Sequence, residues 1–299
     1  MNSKLKKIAV AMGGVSSERP VSLKSGTAVL RALIQAGYDA FEFDITDTNP
    51  ILPDGADAVF ITLHGAFGED GQVQKLFDDL LIPYTGSGAA SSRLAFDKAA
   101  TKDVLVKHQI STPAYTVLRE VPDTPPLPLP LVVKPLLQGS SFGVHRVFNE
   151  SEWRVACTDA LSYDKRVLVE GLIEGKELTV GIVSDTVLPV LEIKAPGGCY
   201  DYNAKYTVGT TEYIVPAKIE DSLSELCKTL AWDTYNALGC RGLGRVDIML
   251  DTEGHPFVLE LNTIPGFTET SLLPKAALAA GISFVDLCKM IIDLARFGA

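Results

Sequence analysis

The order of apolar runs along the chain changes after residue 121, and this change limits the folds available to it. In the first third, strand-like runs alternate with helical patterns, which is typical of a parallel sheet covered by helices. The strands are predicted at 7–12, 41–45, 58–63 and 83–85, and the helices at 22–36, 72–81 and 92–108. The first third is therefore expected to form an α/β unit.

Residues 122–130 hold five of the 17 prolines, and after them strand-like runs follow one another through short turns that contain glycine. This order favours antiparallel pairing, and the proline-rich stretch itself is a stiff segment and not a helix. The strands are predicted at 131–134, 167–170, 177–183, 187–193, 244–250 and 256–262, and the helices at 222–238 and 284–296. Two α+β units are therefore expected after the α/β unit.

Charge and cysteine content exclude several classes of protein. With 27 Lys and Arg against 37 Asp and Glu, the formal charge is −10, which argues against a broad nucleic-acid or anionic-membrane surface. It does not exclude one small anion that a few lysines hold. No run of about 18 apolar residues is present, so no membrane-spanning helix is expected. The five cysteines are scattered without a C-x-x-C pair, which favours reduced thiols in a cytoplasmic protein.

The most informative stretch is 244–262, where two strand-like runs flank a turn predicted at Glu253 and Gly254. The resulting register places apolar residues opposite each other on one face, which is expected to be buried. These apolar pairs are Val246 with Leu261, Ile248 with Leu259, and Leu250 with Phe257. The pairs on the other face are Arg245 with Asn262 and Asp247 with Glu260.

Two carboxylates directly opposite each other repel, so a plain sheet would not favour Asp247 beside Glu260. A divalent cation removes the conflict, because Asp, Glu and Asn oxygens are hard ligands that suit Mg²⁺ together with phosphates. The pattern therefore predicts a magnesium site that serves a nucleotide. A solvated sheet face, with Arg245 neutralising one acid, is the alternative.

Other stretches could bind a ligand, although the chain has no Walker P-loop. Lys134 ends an apolar strand and precedes a Gly/Ser loop at 138–144, which is either a phosphate loop or a plain hairpin loop. Glu18 and His64 each follow a strand of the parallel sheet, at the edge where such sheets bind ligands, although Glu18 also suits a helix cap. The stretch 86–91 resembles a degraded dinucleotide loop and is interpreted as an ordinary turn.

Together these motifs resemble the D-alanine–D-alanine ligases of the ATP-grasp superfamily, nearly from end to end of the chain. Their order and spacing make the resemblance far more specific than any single motif. The motifs are GG-x-S-x-ER at 13–19, LHG at 63–65, GEDG at 68–71, DK at 97–98, KP at 134–135, GSS-x-G at 139–143, DY-x-AKY at 201–206, RG-x-GR-x-D at 241–247 and E-x-NT-x-PG-x-T at 260–268.

The resemblance implies an ATP-grasp fold, in which an N-terminal parallel-sheet domain precedes two α+β domains that clamp ATP. It places the domains at 1–97, 98–175 and 176–299, with the proline-rich stretch inside the second. It also implies that the protein joins two D-alanine molecules for peptidoglycan precursor synthesis. ATP and two Mg²⁺ or Mn²⁺ ions would be required, and the protein would be a cytoplasmic homodimer.

The resemblance also assigns roles to individual residues. Glu18 would hold the ammonium group of the first D-alanine, with Ser140 and Tyr206 hydrogen-bonded to it beneath a loop around 196–210. Arg245 and the Gly266 N–H would stabilise an oxyanion. The remaining assignments are His64, Ser271 and Leu272 to substrate, Lys98, Lys134, Ser140, Ser141, Glu170, Glu177 and Lys205 to the nucleotide, and Asp247, Glu260 and Asn262 to the metal ions.

Substrate choice follows from the same resemblance. The Ala-Lys-Tyr sequence at 204–206 goes with D-alanine as second substrate, and a ligase for D-lactate or D-serine is the nearest alternative. A nicotinamide oxidoreductase would use 86–91 and leave the carboxylate pair without a purpose. An amino-acid-binding module would not need Arg245 or three lysines. Ile264 and Phe267 are bulkier than the family pattern and could alter the packing of the pocket.

Overall fold

The computed structural model describes residues 7–196, 200 and 210–298. A parallel sheet with the order β2-β1-β3 opens the chain, and its strands are β1 (Lys7–Gly13), β2 (Asp39–Ile45) and β3 (Ala58–Ile61). The helices of this part are α1 (Arg19–Gln35), α2 (Gln72–Asp79) and α3 (Ala89–Phe96). The predicted α/β unit is confirmed, but the strand predicted at 83–85 is reduced to isolated bridges at Tyr84.

The single helix predicted over 92–108 is wrong, because Asp97 interrupts it. Asp97 has an extended backbone and caps helix α4 (Lys98–Lys107) by accepting hydrogen bonds from the backbone N–H groups of Ala99 and Ala100. Aspartate suits this position because its short side chain satisfies N–H groups that the first helical turn leaves unpaired. Lys98 consequently stands in the first turn of a new helix.

An antiparallel sheet with the order β4-β7-β5-β6 forms the second unit. Its strands are β4 (Tyr115–Leu118), β5 (Leu131–Pro135), β6 (His145–Val147) and β7 (Val167–Gly171), and helix α5 (Glu150–Tyr163) packs on it. The buried indole of Trp153 donates its N–H to the Pro122 carbonyl oxygen at 3.0 Å. This contact attaches the start of the proline-rich stretch to the core of the second unit.

A six-stranded antiparallel sheet forms the third unit, in the order β11-β10-β8-β12-β13 with β9 added to β8. Its strands are β8 (Gly175–Val183), β9 (Thr186–Val187), β10 (Leu191–Lys194), β11 (Glu212–Ile214), β12 (Leu243–Asp251) and β13 (Pro256–Asn262). The helices are α6 (Asp221–Ala237), α7 (Leu272–Ala279) and α8 (Phe284–Asp293). The strand predicted over 187–193 is therefore two strands.

Helix α8 connects the third unit to the first. Its Leu287 and Ile291 share one buried cluster with Val29 and Leu33 of α1. The three sheets lie within 7–61, 115–171 and 175–262, and the exact domain bounds stay a prediction.

The hairpin of β12 and β13 has the predicted register only at its far end. Asp247 does pair with Glu260, and Arg245 pairs with Asn262, but the register then shifts, so Ile248 pairs with Val258. The pairs predicted for Ile248 with Leu259 and for Leu250 with Phe257 are therefore wrong. The core side chain is Val258, which is 0% exposed.

The physical reason for this shift is a loop of three residues instead of two. Asp251 and His255 are hydrogen-bonded across it at 3.0 Å, and Gly254 has the left-handed φ of 88° that such a loop requires. The bulge between Asp247 and Ile248 then restores the pairing of the two carboxylates. It lies next to the acidic pair, where bulges commonly redirect side chains.

Candidate active site

A cavity of about 560 Å³ lies where the three units meet. Its wall is rich in charged and polar groups, as expected of a site that orients a small polar ligand. The residues that line it include Glu18, His64, Glu69, Lys98, Gly139, Ser140, Arg245, Glu260, Asn262, Gly266, Ser271 and Leu272. Most of the residues that the sequence predicts for the site therefore line one cavity.

Glu18 and Ser140 connect the first unit to the second across this cavity. Glu18 precedes helix α1 but makes no side-chain capping bond there, so its carboxylate does not act as the helix cap that the sequence left open. The Ser140 hydroxyl donates a hydrogen bond to that carboxylate. Gly139 lies so close that a Cβ atom would be 3.0 Å from Glu18 Oε2. The Gly/Ser loop thus contacts Glu18 directly.

Glu69 is a second acid in the cavity, and no role was predicted for it from the sequence. Its Oε2 accepts a hydrogen bond from Gly65 N at 2.6 Å, and a Cβ atom on Gly65 would lie 2.7 Å from Glu18 Oε2. Burial, and then the nearby charge of Glu18, raise the pKa of Glu69 to about 8. The motif Gly68-Glu69-Asp70-Gly71 was the only sequence signal for it. With this raised pKa, Glu69 is largely protonated at neutral pH, and an ammonium group bound beside Glu18 would favour its ionised form.

His64 lies three residues after β3 and is almost completely buried, close to Ser25 and to the backbone of Ile264. Burial lowers its pKa to about 4, against the opposing effect of the Ile264 backbone hydrogen bond. His64 is therefore neutral near pH 7. It can donate or accept a hydrogen bond at the cavity wall but supplies no charge.

Acidification is expected to destabilise the fold through His64. Because its folded pKa of about 4 lies below the value of 6.5 for a free histidine, the unfolded chain binds the proton first as the pH falls. The wild type should lose up to about 3 kcal/mol relative to His64→Gln between pH 7 and pH 4. Urea unfolding at several pH values measures this difference. His108→Gln, at an exposed position, is the control and should follow the wild type; identical curves for His64→Gln would contradict the assignment.

The Arg245 guanidinium forms an ion pair with the carboxylate of Asp247, which is one of the predicted metal ligands. Its Nε and one terminal nitrogen donate to the two carboxylate oxygens at 2.8 and 2.7 Å. Thr179 and Asn262 donate to the same carboxylate at 2.6 and 3.0 Å. Burial alone would lower the pKa of Arg245, but Asp247 raises it above its usual range, so the guanidinium stays charged. This ion pair agrees with one part of the alternative predicted from the sequence, in which Arg245 neutralises one of the two acids.

Glu260 is the less enclosed member of the carboxylate pair. Lys98 Nζ lies 3.8 Å from its Oε2, and the Lys98 ammonium also donates to the Gln138 carbonyl oxygen at 2.7 Å. Lys98 therefore lies between the Gly/Ser loop and the hairpin. Within the described residues, no three side chains among His, Cys, Asp and Glu come together as a metal site. A cation here would depend on two carboxylates and an amide oxygen.

A second charged cluster surrounds the buried carboxylate of Glu170, and its side chains are not among those that line the cavity. Lys134 and Lys102 each form an ion pair with one of its oxygens. Burial would raise the pKa of Glu170, but Lys134 and Lys102 together lower it. Lys102 was not predicted from the sequence. Glu177 lies on β8, is partly buried, and does not line the cavity.

Ser271 and Gly266 form a further part of the cavity wall. Ser271 Oγ accepts a hydrogen bond from Thr268 N at 3.0 Å, and a Cβ atom on Gly266 would lie 3.3 Å from that oxygen. Ile264 lines the cavity, whereas Phe267 packs in the core against Phe60. Only the first of the two bulky residues can therefore affect the pocket directly.

Residues 86–91 are packed against the chain around Gly239 and Gly242. Ser91 Oγ donates to the Gly239 carbonyl oxygen at 2.6 Å, and a Cβ atom on Gly242 would be 3.1 Å from Gly86 N. Backbone packed this closely supports the interpretation as a turn.

Lys205 and Tyr206 lie outside the described residues. No described helix is long and apolar enough to span a membrane.

A parallel sheet, two α+β units and a polar cavity between them define a ligase of the ATP-grasp class. The family models for the D-ala D-ala ligase N-terminus and C-terminus match residues 48–87 and 102–293. The chain belongs to the D-alanine–D-alanine ligase family.

Individual relatives agree over almost the whole length. The D-alanine–D-alanine ligase of Methylacidiphilum infernorum is 46% identical over 290 residues, which cover 96% of this chain and 94% of the relative. That of Aromatoleum aromaticum is 45% identical over 304 residues, which cover 100% and 98%. The crystal structure of the D-alanine–D-alanine ligase from Bacillus anthracis complexed with ATP superposes with a TM-score of 0.86, at 33% identity and 97% coverage of both chains.

Proposed function

We propose that this protein joins two D-alanine molecules to D-alanyl-D-alanine and converts ATP to ADP and phosphate. The observation that carries the proposal is the likeness to ligases of this name over 96% or more of the chain, in a fold whose cavity collects the matching residues. The product would serve peptidoglycan precursor synthesis. A cytoplasmic homodimer is part of the proposal.

In the first step, one carboxylate oxygen of the first D-alanine attacks the γ-phosphorus of ATP, and ADP leaves. The product is an acylphosphate, which is a far better electrophile than the free carboxylate. Glu18, supported by the Ser140 hydrogen bond, would bind the ammonium group and orient the attacking carboxylate. His64, being neutral, would contribute a hydrogen bond at the wall.

In the second step, the neutral amine of the second D-alanine attacks the acyl carbon. A tetrahedral oxyanion forms, the amine loses a proton, and inorganic phosphate leaves as the peptide bond is completed. Arg245 and the Gly266 N–H would stabilise the oxyanion, which is the type of interaction that contributes most to acyl transfer. Ser271 and Leu272, which line the same cavity, would bind the second substrate.

The nucleotide would lie between the second and third units. Lys98 and Lys134 would contact phosphates, with Ser141 and Lys205 as further phosphate ligands. Glu170 would meet the adenine and Glu177 the ribose. Lys102 and Lys134 both form ion pairs with the one carboxylate of Glu170. This excess of positive charge supports the binding of an anionic phosphate there.

The hairpin side chains fit a divalent cation. Asp247 and Glu260 are paired in register and Asn262 follows on the same strand, which gives the oxygen ligands that Mg²⁺ or Mn²⁺ takes. Phosphate oxygens and water would complete the coordination of two such ions. When bound, the ions would neutralise phosphate charge, and the fork between Arg245 and Asp247 would have to open to admit a cation at that carboxylate.

Measurement of phosphate release with and without D-alanine tests this proposal. With ATP and Mg²⁺, release should rise with D-alanine concentration, and D-alanyl-D-alanine should accumulate in equal amount. D-lactate or D-serine offered as second substrate at neutral pH should give little mixed product. Release that is independent of D-alanine, or preferential formation of a mixed product, would contradict the assignment.

A further inference from the structure

Lys102 is a fully buried lysine beside Glu170, and no sequence motif predicted it there. Its side chain is 0% exposed, and its ammonium group forms an ion pair with Glu170. The same ammonium donates to Thr112 Oγ1 at 2.6 Å, and that hydroxyl donates to the Val258 carbonyl oxygen at 2.7 Å. A continuous chain of contacts therefore runs from β13, the strand that carries Glu260, to Glu170 on β7.

The charges in this cluster do not balance. Within the described residues, Glu170 is the one carboxylate that forms ion pairs with the two ammonium groups, and Glu260 acts on Lys102 more weakly than Glu170 does. The cluster of Lys102, Lys134 and Glu170 therefore carries one excess positive charge in a place almost closed to water. Uncompensated buried charge is costly, and an anion nearby would remove that cost. The excess charge is therefore available to a phosphate group.

The two lysines differ in how firmly they are held. The Lys102 ammonium group has Thr112 as a second partner and the Tyr115 ring 5.3 Å away. The Lys134 ammonium group has no hydrogen bond or ion pair besides Glu170 within the part of the chain that the structure describes. The Lys134 side chain is also more exposed, at 10% against 0%. The Lys134 side chain can therefore rotate toward a ligand, whereas Lys102 remains bound to Glu170 and Thr112.

We propose that Lys102 is a positioning residue for nucleotide binding: it neutralises and fixes Glu170, so that Lys134 is free to leave that carboxylate and bind a phosphate of the nucleotide. This inference rests on the proposed function for the roles of Lys134 and Glu170. It adds that the affinity for ATP depends on a lysine that does not itself touch ATP.

Lys102→Met is expected to weaken ATP binding by about tenfold or more, because Glu170 then keeps Lys134 as its sole counter-ion. Isothermal titration of the full-length protein with ATP and Mg²⁺, without D-alanine, measures this directly. Thr112→Val keeps the charge but removes the hydrogen bond that holds Lys102, and should cause a smaller loss in the same direction. Lys107→Met, on the exposed end of the same helix, is the matched control and should bind ATP normally.

A double-mutant cycle separates positioning from a general structural role. If Lys102 acts through Glu170, then Lys102→Met should change the ATP affinity by less than about threefold when Glu170→Gln is already present. An equal loss in both backgrounds, or unchanged affinity in a folded Lys102→Met protein, would overturn the proposal. Binding is measured without the ligation reaction, so absence of D-alanine-dependent turnover would count against the proposed function and leave this test intact.

Discussion

Arg245→Met is expected to lower kcat by about 10²–10³-fold, the loss typical of removing a group that stabilises an oxyanion. The guanidinium faces the cavity and keeps its charge because Asp247 holds it through two hydrogen bonds. Methionine preserves much of the side-chain volume but supplies no donor. Steady-state rates at saturating ATP and D-alanine measure the effect, and thermal unfolding reports whether the protein is still folded.

Arg241 provides the matched control for this substitution. It is also buried, but it donates to the carbonyl oxygens of Arg296 and Gly298 and lies over the Tyr84 ring, away from the cavity. Arg241→Met should therefore lower the melting temperature and leave kcat per folded molecule unchanged. A folded Arg245→Met protein with near-normal kcat would show that oxyanion stabilisation comes from elsewhere.

The sequence predicted the sheets well because burial imposes simple patterns on them. Strands such as β1 and β3 are continuous apolar runs, which a parallel sheet covered on both faces requires. The opposed acids Asp247 and Glu260 could be paired from the register alone, because the bulge compensates for the error made at the turn. Motif order then identified the family to which the cavity residues belong.

What the sequence could not predict depends on contacts between distant residues. The break at Asp97 depends on a cap and on an ion pair with Arg166 at 2.8 Å, and neither changes the apolar periodicity of the helix. The sequence pattern around Lys102 is that of an ordinary helical lysine, because its partner Glu170 lies 68 positions further along the chain and comes close to it only in the folded protein. Glu69 has a raised pKa because folding buries its carboxyl group and also brings the charge of Glu18 close to it.

Glu18→Gln is expected to raise the KM for the first D-alanine by about 10²-fold and to lower kcat as well. The substitution keeps the shape of the side chain but removes the negative charge that would bind the substrate ammonium group. It also changes the acceptor of the Ser140 hydrogen bond, so the Gly/Ser loop loses a charged contact with the first unit. Initial rates over a wide range of D-alanine concentration, at saturating ATP, measure both constants.

Ser140→Ala is the companion variant that shows whether Glu18 acts alone. Its loss should be smaller, because the carboxylate keeps its charge and loses only one donor. The double variant should be little worse than Glu18→Gln, because the hydroxyl matters mainly through the carboxylate that it orients. Additive losses would mean that Ser140 contacts substrate or nucleotide independently, and a normal KM in Glu18→Gln would place the ammonium group elsewhere, with the neighbouring acid Glu69 as the next candidate.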